Sequence, residues 1–211
     1  MSENTQLTET GKKKGWFPWY PFCRVCGNIV IHVVGFVRYH HKERLPQEGP
    51  AIIICNHTTW IDPIIIGTQI KPKEVTFMAK KELKGNRFFD IFFSGLHVIA
   101  VDRHNSDMEA MRACMRLLKK GEILGIFPEG TRHAGGNMQK LESGAALIAL
   151  RANVPLIPVY VKPKFRVFRK ADCYVGKPID FSDLREEGIN KDTCEALLDR
   201  IRNLYANWPE D

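Results

Sequence analysis

The stretch Ala51–Cys55 (AIIIC), followed by residues 56–62 (NHTTWID), decides the fold that this sequence predicts. Its run of apolar residues, rich in β-branched side chains, predicts a buried strand. His57 comes just after that strand, where the chain turns. In open α/β sheets, ligands bind outside the carboxyl ends of the strands. An imidazole at that edge, with Asp62 five positions later, has the residue types of a general base and its orienting acid.

The end of the same stretch has an alternative interpretation. Asp62 followed by Pro63 is typical of a helix start, with aspartate at the N-cap and proline in the first turn. A continuous helix would not bring His57 to Asp62, because five residues rotate about 500° and leave the side chains about 140° apart. We therefore expect a turn whose end alone is helical. Whether Asp62 starts the helix, holds His57 or does both stays open at this point.

An apolar run followed by polar residues repeats along the chain. The runs cover residues 51–55, 75–79, 98–101, 123–127, 156–161 and, as a possible sixth, 173–175. Helical patterns lie between or after them at residues 106–120, 141–152 and 192–205. In the first of these, the side chains on one face are Met108, Met111, Met115 and Leu118. Strands alternating with helices predict an α/β fold with a mostly parallel central sheet flanked by helices.

Polar residues after four of these runs are expected at one edge of the sheet. If the strands are parallel neighbours, His57, Lys80, Arg103 and the loop 128–132 (PEGTR) lie close together. Arginine offers a phosphate a two-pronged fork, and lysine offers a point charge. Each also has a plainer interpretation: Lys80 as a solvated strand end, Arg103 as part of a turn with Asp102, and the loop as a tight turn.

Composition and charge limit the classes of function. The 211 residues suit one domain, and the formal net charge of +7 favours an anionic partner such as nucleic acid, an anionic membrane or a phosphorylated substrate. The six cysteines are scattered, as in a reduced protein. Cys23 and Cys26 resemble half of a metal or redox site, but no second pair completes it, so we predict no metal site.

The N-terminal part of the chain predicts attachment to a membrane surface. Residues 1–15 predict a disordered basic tail, and residues 16–44 begin with an aromatic cluster (WFPWYPF) ahead of a moderately apolar helical stretch. This pattern is typical of an interfacial anchor and is too short and polar for a transmembrane span. No small-residue cleavage site follows it, so we expect no cleavable signal peptide. The alternative is an amphipathic helix packed on the main domain, residues 45–211.

Three motifs, in this order along the chain, resemble those of the glycerolipid acyltransferase family, and most closely its bacterial 1-acylglycerol-3-phosphate acyltransferases. They are residues 56–62 (NHTTWID), 127–132 (FPEGTR) and 154–159 (VPLIPV). The resemblance covers about residues 45–185. It implies a glycerol-3-phosphate acyltransferase-like fold that transfers an acyl chain to the sn-2 hydroxyl of lysophosphatidate, which makes phosphatidate for phospholipid biosynthesis. The implied donor is a thioester of acyl carrier protein or coenzyme A.

The resemblance also implies roles for individual residues. His57 is expected to be the catalytic base and Asp62 its orienting acid. Pro155 is expected to contribute to acyl-chain binding and packing. The residues expected to bind the acceptor are Arg103, Glu129, Gly130, Thr131 and Arg132, together with Lys80 from the strand-edge argument. Neither a metal nor another cofactor is implied, since the thioester is a co-substrate.

Two positions depart from the family's pattern. His133 stands where serine usually follows the motif arginine, and residues 141–144 (LESG) stand where a Phe-Lys-x-Gly segment is common. The acidic Glu142 removes one contact with a phosphate or a carrier. An acyltransferase acting on another lysolipid, or on an amino-acid-derived lipid, is therefore an alternative.

A third class is a non-enzymatic module that binds membrane or nucleic acid. Residues 162–170 (KPKFRVFRK) are basic with interleaved aromatic side chains, as in nucleic-acid grooves. No nucleic-acid motif accompanies them, and they also fit the rim of a phospholipid site, so we expect no nucleic-acid partner. The expected partners are the phospholipid membrane surface, lysophosphatidate and the thioester donor. The expected location is the cytoplasmic face of the cell membrane, with peripheral or monotopic attachment.

Overall fold

A computed structural model describes residues 19–29, 31, 36–71, 74–80, 97–101, 108–132, 138–162 and 171–208. For a few of these residues in helices and strands, including Lys80, the structure describes the backbone but not the side chain. The predicted basic tail (residues 1–15) and the first two residues of the helix predicted over 106–120 lie outside the described residues.

Seven strands among the described residues form one sheet. They are β1 (Val37–His40), β2 (Ala51–Cys55), β3 (Val75–Lys80), β4 (His97–Val101), β5 (Ile123–Ile126), β6 (Leu156–Val161) and β7 (Ala171–Val175). Their order across the sheet is β1-β7-β6-β2-β5-β3-β4. Strands β6, β2, β5, β3 and β4 are parallel, whereas β7 runs antiparallel to β6 and parallel to β1. The predicted α/β fold with a mostly parallel sheet is confirmed.

Helices cover both faces of this sheet. They are α1 (Trp19–Ile29), a 3-10 turn (Lys42–Arg44), α2 (Asp62–Gly67), α3 (Met108–Lys119), α4 (Ser143–Ala152), α5 (Ser182–Glu186) and α6 (Lys191–Ala206). In β2, Ile52 and Ile54 belong to the core shared with α3, α4 and α6, whereas Ile53 and Cys55 belong to the core shared with α2. Every residue of β2 is buried because both faces are covered, which is why the strand reads as a continuous apolar run.

The buried face of helix α3 overlaps only in part with the one that the methionine pattern predicts, since Leu118 belongs to both. Its buried side chains are Ala110, Cys114 and Leu118, whereas Met108 is 52% exposed. The small side chain of Ala110 is buried, Cys114 belongs to the core beneath the sheet, and Met111 packs at the margin of that core. A pattern read from large apolar residues alone misses small side chains on the buried face.

The structure also differs from the helical segment predicted for residues 16–44. Helix α1 ends at Ile29, and Val37–His40 form an edge strand in register with β7, with Val37 opposite Ala171. Four residues are too few for a period of two to stand out, and the strand is defined by its partner β7. This part of the segment therefore belongs to the sheet.

Helix α1 packs on α2 through one face and exposes the other. A Cβ atom at Gly27 would lie 2.7 Å from Cγ2 of Ile64, so glycine permits the close approach of the two helices. Ile31, just beyond α1, is fully buried in the core that contains α2. The exposed large apolar side chains of α1 are Phe22, Val25 and Ile29. Among the described residues, no helix has both the length and the apolar character needed to cross a bilayer.

Candidate active site

The carboxyl end of β2 is fixed to β6 by the fully buried side chain of Asn56. Its Nδ2 donates to the carbonyl oxygen of Val161 at 2.8 Å, and its Oδ1 accepts from the main-chain N–H of Val161 at 2.8 Å. The carboxamide takes the place of a peptide group and extends the parallel ladder by one step. This pair of hydrogen bonds fixes the position of the chain directly before His57.

The side chains of His57 and Asp62 contact each other across the turn after β2. Nδ1 of His57 lies 3.0 Å from Oδ2 of Asp62, and the side chains are 18% and 0% exposed, respectively. Because an ionised carboxylate only accepts hydrogen bonds, this contact places a proton on Nδ1 and leaves Nε2 of the neutral ring as the acceptor. Among the described residues, Nε2 has no hydrogen-bond partner.

The buried Asp62 carboxylate also shapes the turn that precedes it. Its Oδ2 accepts the main-chain N–H groups of Thr58 at 2.7 Å and Thr59 at 2.8 Å, and its Oδ1 accepts the hydroxyl of Thr59 at 2.7 Å. These bonds compensate for burying the charge. Asp62 is the first residue of α2, where a negative charge is favourable, and the observed N-cap is Ile61. It therefore begins the helix and holds His57 at the same time.

Glu129 connects the second motif to the first. The turn that contains it is closed by the Gly130 N–H donating to the carbonyl of Phe127 at 3.0 Å, and Gly130 has a positive φ of 67° that glycine favours. The Glu129 side chain is 3% exposed, and its Oε2 accepts the main-chain N–H of His57 at 2.6 Å. The Glu129 carboxylate, which was expected to bind the acceptor, therefore contacts the main chain of His57.

Aromatic side chains hold the imidazole from one side. The rings of His57 and Phe127 are stacked with centroids 4.3 Å apart, and Phe127 stacks in turn on Phe77 at 5.7 Å. This contact and the hydrogen bond to Asp62 restrict the ring while Nε2 stays accessible. Asn56, Thr58, Thr59 and Phe127 were not among the predicted site residues. Their only sequence signal was their place in or next to the two motifs.

Burial suppresses the nucleophilicity of the thiol closest to the histidine in sequence. Cys55 is buried, and this burial, with the nearby carboxylate of Asp62, raises its pKa well above the usual value. A thiol that stays protonated is a poor nucleophile. Cys55 therefore serves as a core residue beside the site.

The other predicted residues are distributed as follows. Thr131 and Arg132 follow Gly130 and are exposed, and Arg132 forms no ion pair with any described residue. Lys80 ends β3 at the same edge of the sheet as His57, because β2, β5 and β3 are parallel neighbours. Arg103 lies two residues beyond β4 and outside the described residues, as does His133.

Pro155 lies away from the predicted site residues at the His57 edge of the sheet. Its carbonyl accepts the main-chain N–H of Ile52 at 2.9 Å, at the amino end of β2 and β6, and its side chain is exposed. Asn56 pairs with Val161 at the other end, so about six residues of β6, roughly 20 Å, separate Pro155 from the His57 edge. Among the described residues, no group of three or more histidine, cysteine or acidic side chains could hold a metal ion.

The fold and the pair at the strand edge define a class: α/β proteins that hold a histidine, oriented by a buried aspartate, at the carboxyl edge of a parallel sheet. A family model described as Acyltransferase matches residues 36–162 of this chain. The protein belongs to this acyltransferase family, and the resemblance inferred from its motifs is confirmed.

Relatives with stated activities match nearly the whole chain. A 1-acyl-sn-glycerol-3-phosphate acyltransferase of Bacillus subtilis (strain 168) is 35% identical over 193 residues, which is 88% of this chain and 96% of the relative. One from Streptococcus pneumoniae is 34% identical over 190 residues, covering 87% of this chain and 70% of the relative. The crystal structure of the lysophosphatidate acyltransferase PlsC from Thermotoga maritima has the same fold, with a TM-score of 0.64 and 20% identity, covering 90% of this chain and 80% of that one.

Proposed function

We propose that the protein transfers an acyl chain from a thioester to the sn-2 hydroxyl of lysophosphatidate and so makes phosphatidate for phospholipid biosynthesis. The observation that carries this proposal is the 3.0 Å contact between His57 Nδ1 and Asp62 Oδ2, which leaves Nε2 open beside the PEGTR turn. The names of the Bacillus and Streptococcus relatives support the same activity.

The chemistry follows from the tautomer that Asp62 selects. Nε2 of His57 takes the proton of the acceptor hydroxyl as its oxygen attacks the thioester carbonyl. The carbon–sulfur bond then breaks, and the imidazolium returns the proton to the leaving thiolate. Asp62 stabilises the imidazolium that forms between these steps, as the acid does in a serine–histidine–aspartate triad. The acceptor oxygen is itself the nucleophile, which suits a site whose neighbouring thiol, Cys55, is held protonated.

The hydrogen bonds of the turn limit where the oxyanion of the tetrahedral intermediate can bind. The main-chain N–H groups of Thr58 and Thr59 donate to Asp62, and that of His57 donates to Glu129. These three groups are therefore committed. The oxyanion must therefore be stabilised by other groups at this strand edge. Lys80, which ends β3 at the same edge, is proposed to bind the acceptor.

The acceptor's phosphate is proposed to bind beyond the PEGTR turn. Arg132 is exposed and forms no ion pair with a described residue, so its guanidinium can bind a phosphate with two hydrogen bonds. Gly130 and Thr131 lie directly before it, and Arg103 is proposed as a second phosphate ligand after β4. The buried Glu129 is proposed to support this loop through its contact with His57 rather than to bind the phosphate.

Helix α1 supports attachment to the membrane that contains the acceptor. Phe22, Val25 and Ile29 are 48%, 59% and 57% exposed on a helix that packs directly on α2. An exposed apolar face next to a basic segment is typical of a helix that lies in a membrane interface. We propose peripheral or monotopic attachment at the cytoplasmic face. The donor is proposed to be acyl carrier protein or acyl-coenzyme A, and the net charge of +7 favours either anionic carrier.

A direct assay tests this function. The purified protein is incubated with lysophosphatidate and each thioester donor, and phosphatidate is measured by mass spectrometry beside other lysolipid acceptors. We expect phosphatidate from the wild type and a loss of about 10²–10⁴-fold for His57→Ala. His41→Asn is the control, because asparagine tolerates the left-handed conformation at His41 and the position is remote from the site. Preferred acylation of another lysolipid, or normal turnover by His57→Ala, would overturn the proposal.

A further inference from the structure

A polar cavity lies at the end of α2 that is remote from the His57–Asp62 pair. Its volume is about 470 Å³, and the described side chains that line it are all polar. It is formed by the residues that follow α2, by the end of α1 and by the 3-10 turn after β1. Asp62 begins α2 and Gln69 lies seven residues later, so the cavity is roughly 10 Å from the catalytic carboxylate along the helix axis. It is therefore separate from the proposed acceptor site.

Buried polar side chains form the floor of this cavity. Thr68 and Gln69 are only 3% and 7% exposed. Nε2 of Gln69 donates to Oδ1 of Asn28 at 3.0 Å and contacts Oγ1 of Thr68 at 3.0 Å. These contacts connect α1 to the end of α2, so a ligand would meet a floor that is already in place.

Two lysines give the rim a positive charge. Lys42 and Lys71 are exposed, and neither ammonium group is in an ion pair with a described residue. The Lys42 Nζ lies 5.9 Å from the centre of the Tyr39 ring, which holds it near the cavity. The acidic lining residue, Glu43, is 73% exposed at its side chain and pairs with His41 at 3.4 Å. The two lysines therefore outweigh the acid.

The cavity opens at the flank of the apolar face of α1. With a rotation of about 100° per residue, Phe22, Val25 and Ile29 fall within about 60° of one another. Gly27, which faces α2, is about 170° from the centre of that stripe, and Asn28 is about 90° from it. If the apolar stripe enters a bilayer, Asn28 and the cavity beside it lie at the level of the lipid headgroups.

We propose that this cavity binds the phosphate headgroup of an anionic glycerophospholipid and so fixes the enzyme on the membrane at a second point. Lys42 and Lys71 neutralise the phosphate of such a headgroup. A floor of amide and hydroxyl groups suits its polar glycerol part better than an acyl chain. This inference rests on the proposed attachment of α1 to the membrane. It assigns to the cavity a lipid that is neither acceptor nor donor.

Vesicle binding by the full-length chain tests the proposal. Sedimentation is measured with phosphatidylcholine vesicles and with vesicles in which phosphatidylglycerol replaces part of the phosphatidylcholine. For the double variant Lys42→Gln/Lys71→Gln, we expect a loss on the order of 25-fold in affinity for the anionic vesicles. The matched control, Lys119→Gln/Lys191→Gln, removes the same charge from α3 and α6 on the opposite face of the sheet. We expect it to bind like the wild type.

Two further measurements separate the possible outcomes. Competition by soluble glycerol phosphate tests whether the phosphate alone suffices, and we expect weak competition because it lacks the anchorage of the bilayer. Turnover of a short-chain, water-soluble lysophosphatidate is expected to stay unchanged in both double variants. Equal losses in the two variants would overturn the cavity proposal in favour of diffuse charge. Failure of the wild type to bind any vesicle would instead overturn the membrane attachment on which it rests.

Discussion

The main-chain N–H of His57 donates to Oε2 of Glu129 at 2.6 Å, across two neighbouring parallel strands. One carboxylate thus holds the backbone of the proposed base, while the other, on Asp62, holds its ring. This arrangement connects the two family motifs physically. The resemblance to the family implies that Glu129 binds the acceptor, whereas this contact gives it a second candidate role, which is to position His57.

Substitution of Glu129 distinguishes these roles. Glu129→Gln keeps an oxygen that can accept from His57, whereas Glu129→Ala leaves a buried N–H without its partner, at a cost of about 1–3 kcal/mol. We expect both variants to keep the KM for lysophosphatidate. We expect kcat to fall less than about tenfold for Gln and about 10²-fold for Ala. Steady-state kinetics provide the test, and a raised KM with unchanged kcat would instead place Glu129 on the substrate.

Asp62→Asn is expected to remove the negative charge that stabilises the His57 imidazolium. The main-chain N–H groups of Thr58 and Thr59 and Nδ1 of His57 all donate to one oxygen, Oδ2. An amide oxygen in its place can still accept these bonds, but it carries no negative charge to stabilise the imidazolium. We expect kcat to fall about 10²–10⁴-fold, no further than in His57→Ala, with substrate binding largely retained. Single-turnover kinetics and a ligand-binding isotherm measure the two quantities. Equal losses in binding and turnover would indicate that the turn had collapsed.

Asn56→Asp is expected to destabilise the fold. A carboxylate can accept from the Val161 N–H, but it cannot donate to the Val161 carbonyl, and it would be a buried charge facing an acceptor. We expect a loss of about 2–4 kcal/mol in the free energy of unfolding by urea. Asn207→Asp is the matched control, because Asn207 is exposed and donates only to Asn203 in its own helix end. A similar loss in both variants would contradict this prediction.

The pair of Asp172 and His40 is expected to make stability depend on pH in the acid range. Burial opposes ionisation of Asp172, but the hydrogen bond with His40 and the guanidinium of Arg38 outweigh it, so its pKa lies below the usual value. A group with a lowered folded-state pKa stabilises the protein above its unfolded pKa, and this contribution is lost as the pH falls through the folded pKa.

Asp172→Asn isolates this contribution. The difference in unfolding free energy between wild type and variant should be constant just above the ordinary aspartate pKa of about 3.9 and should shrink below it. Urea titrations at a series of acidic pH values measure this difference. A difference that grows on acidification would have the wrong sign and would contradict the assignment.

Cys55 is expected to resist alkylation in the folded protein. Its burial and raised pKa keep it a protonated, inaccessible thiol, whereas Cys26 is exposed. Peptide mapping after treatment with a maleimide should therefore find Cys26 modified first and Cys55 modified only after denaturation. Activity should survive the native treatment. Early modification of Cys55 with parallel loss of turnover would contradict a purely structural role for this thiol.

Much of the sheet could be predicted because its strands are buried on both faces. Runs such as Ala51–Cys55 and Leu156–Val161 are apolar without interruption, and this property is local to the sequence. Strand β1 was missed for the opposite reason. It is four residues long, lies at an edge and is defined by its pairing with β7, which is distant along the chain.

The sequence by itself determined which residues follow each strand. It predicted that His57 and the PEGTR loop meet at one edge only if their strands are parallel neighbours, and the pairing of β2 with β5 met that condition. It also excluded a continuous helix from His57 to Asp62, since rotation along a helix would separate them. Only the tertiary structure decided that Asp62 both begins α2 and holds His57, and that Glu129 turns inward to the His57 backbone. The reason is physical: a buried carboxylate must find donors, and the donors available to it depend on how distant segments pack.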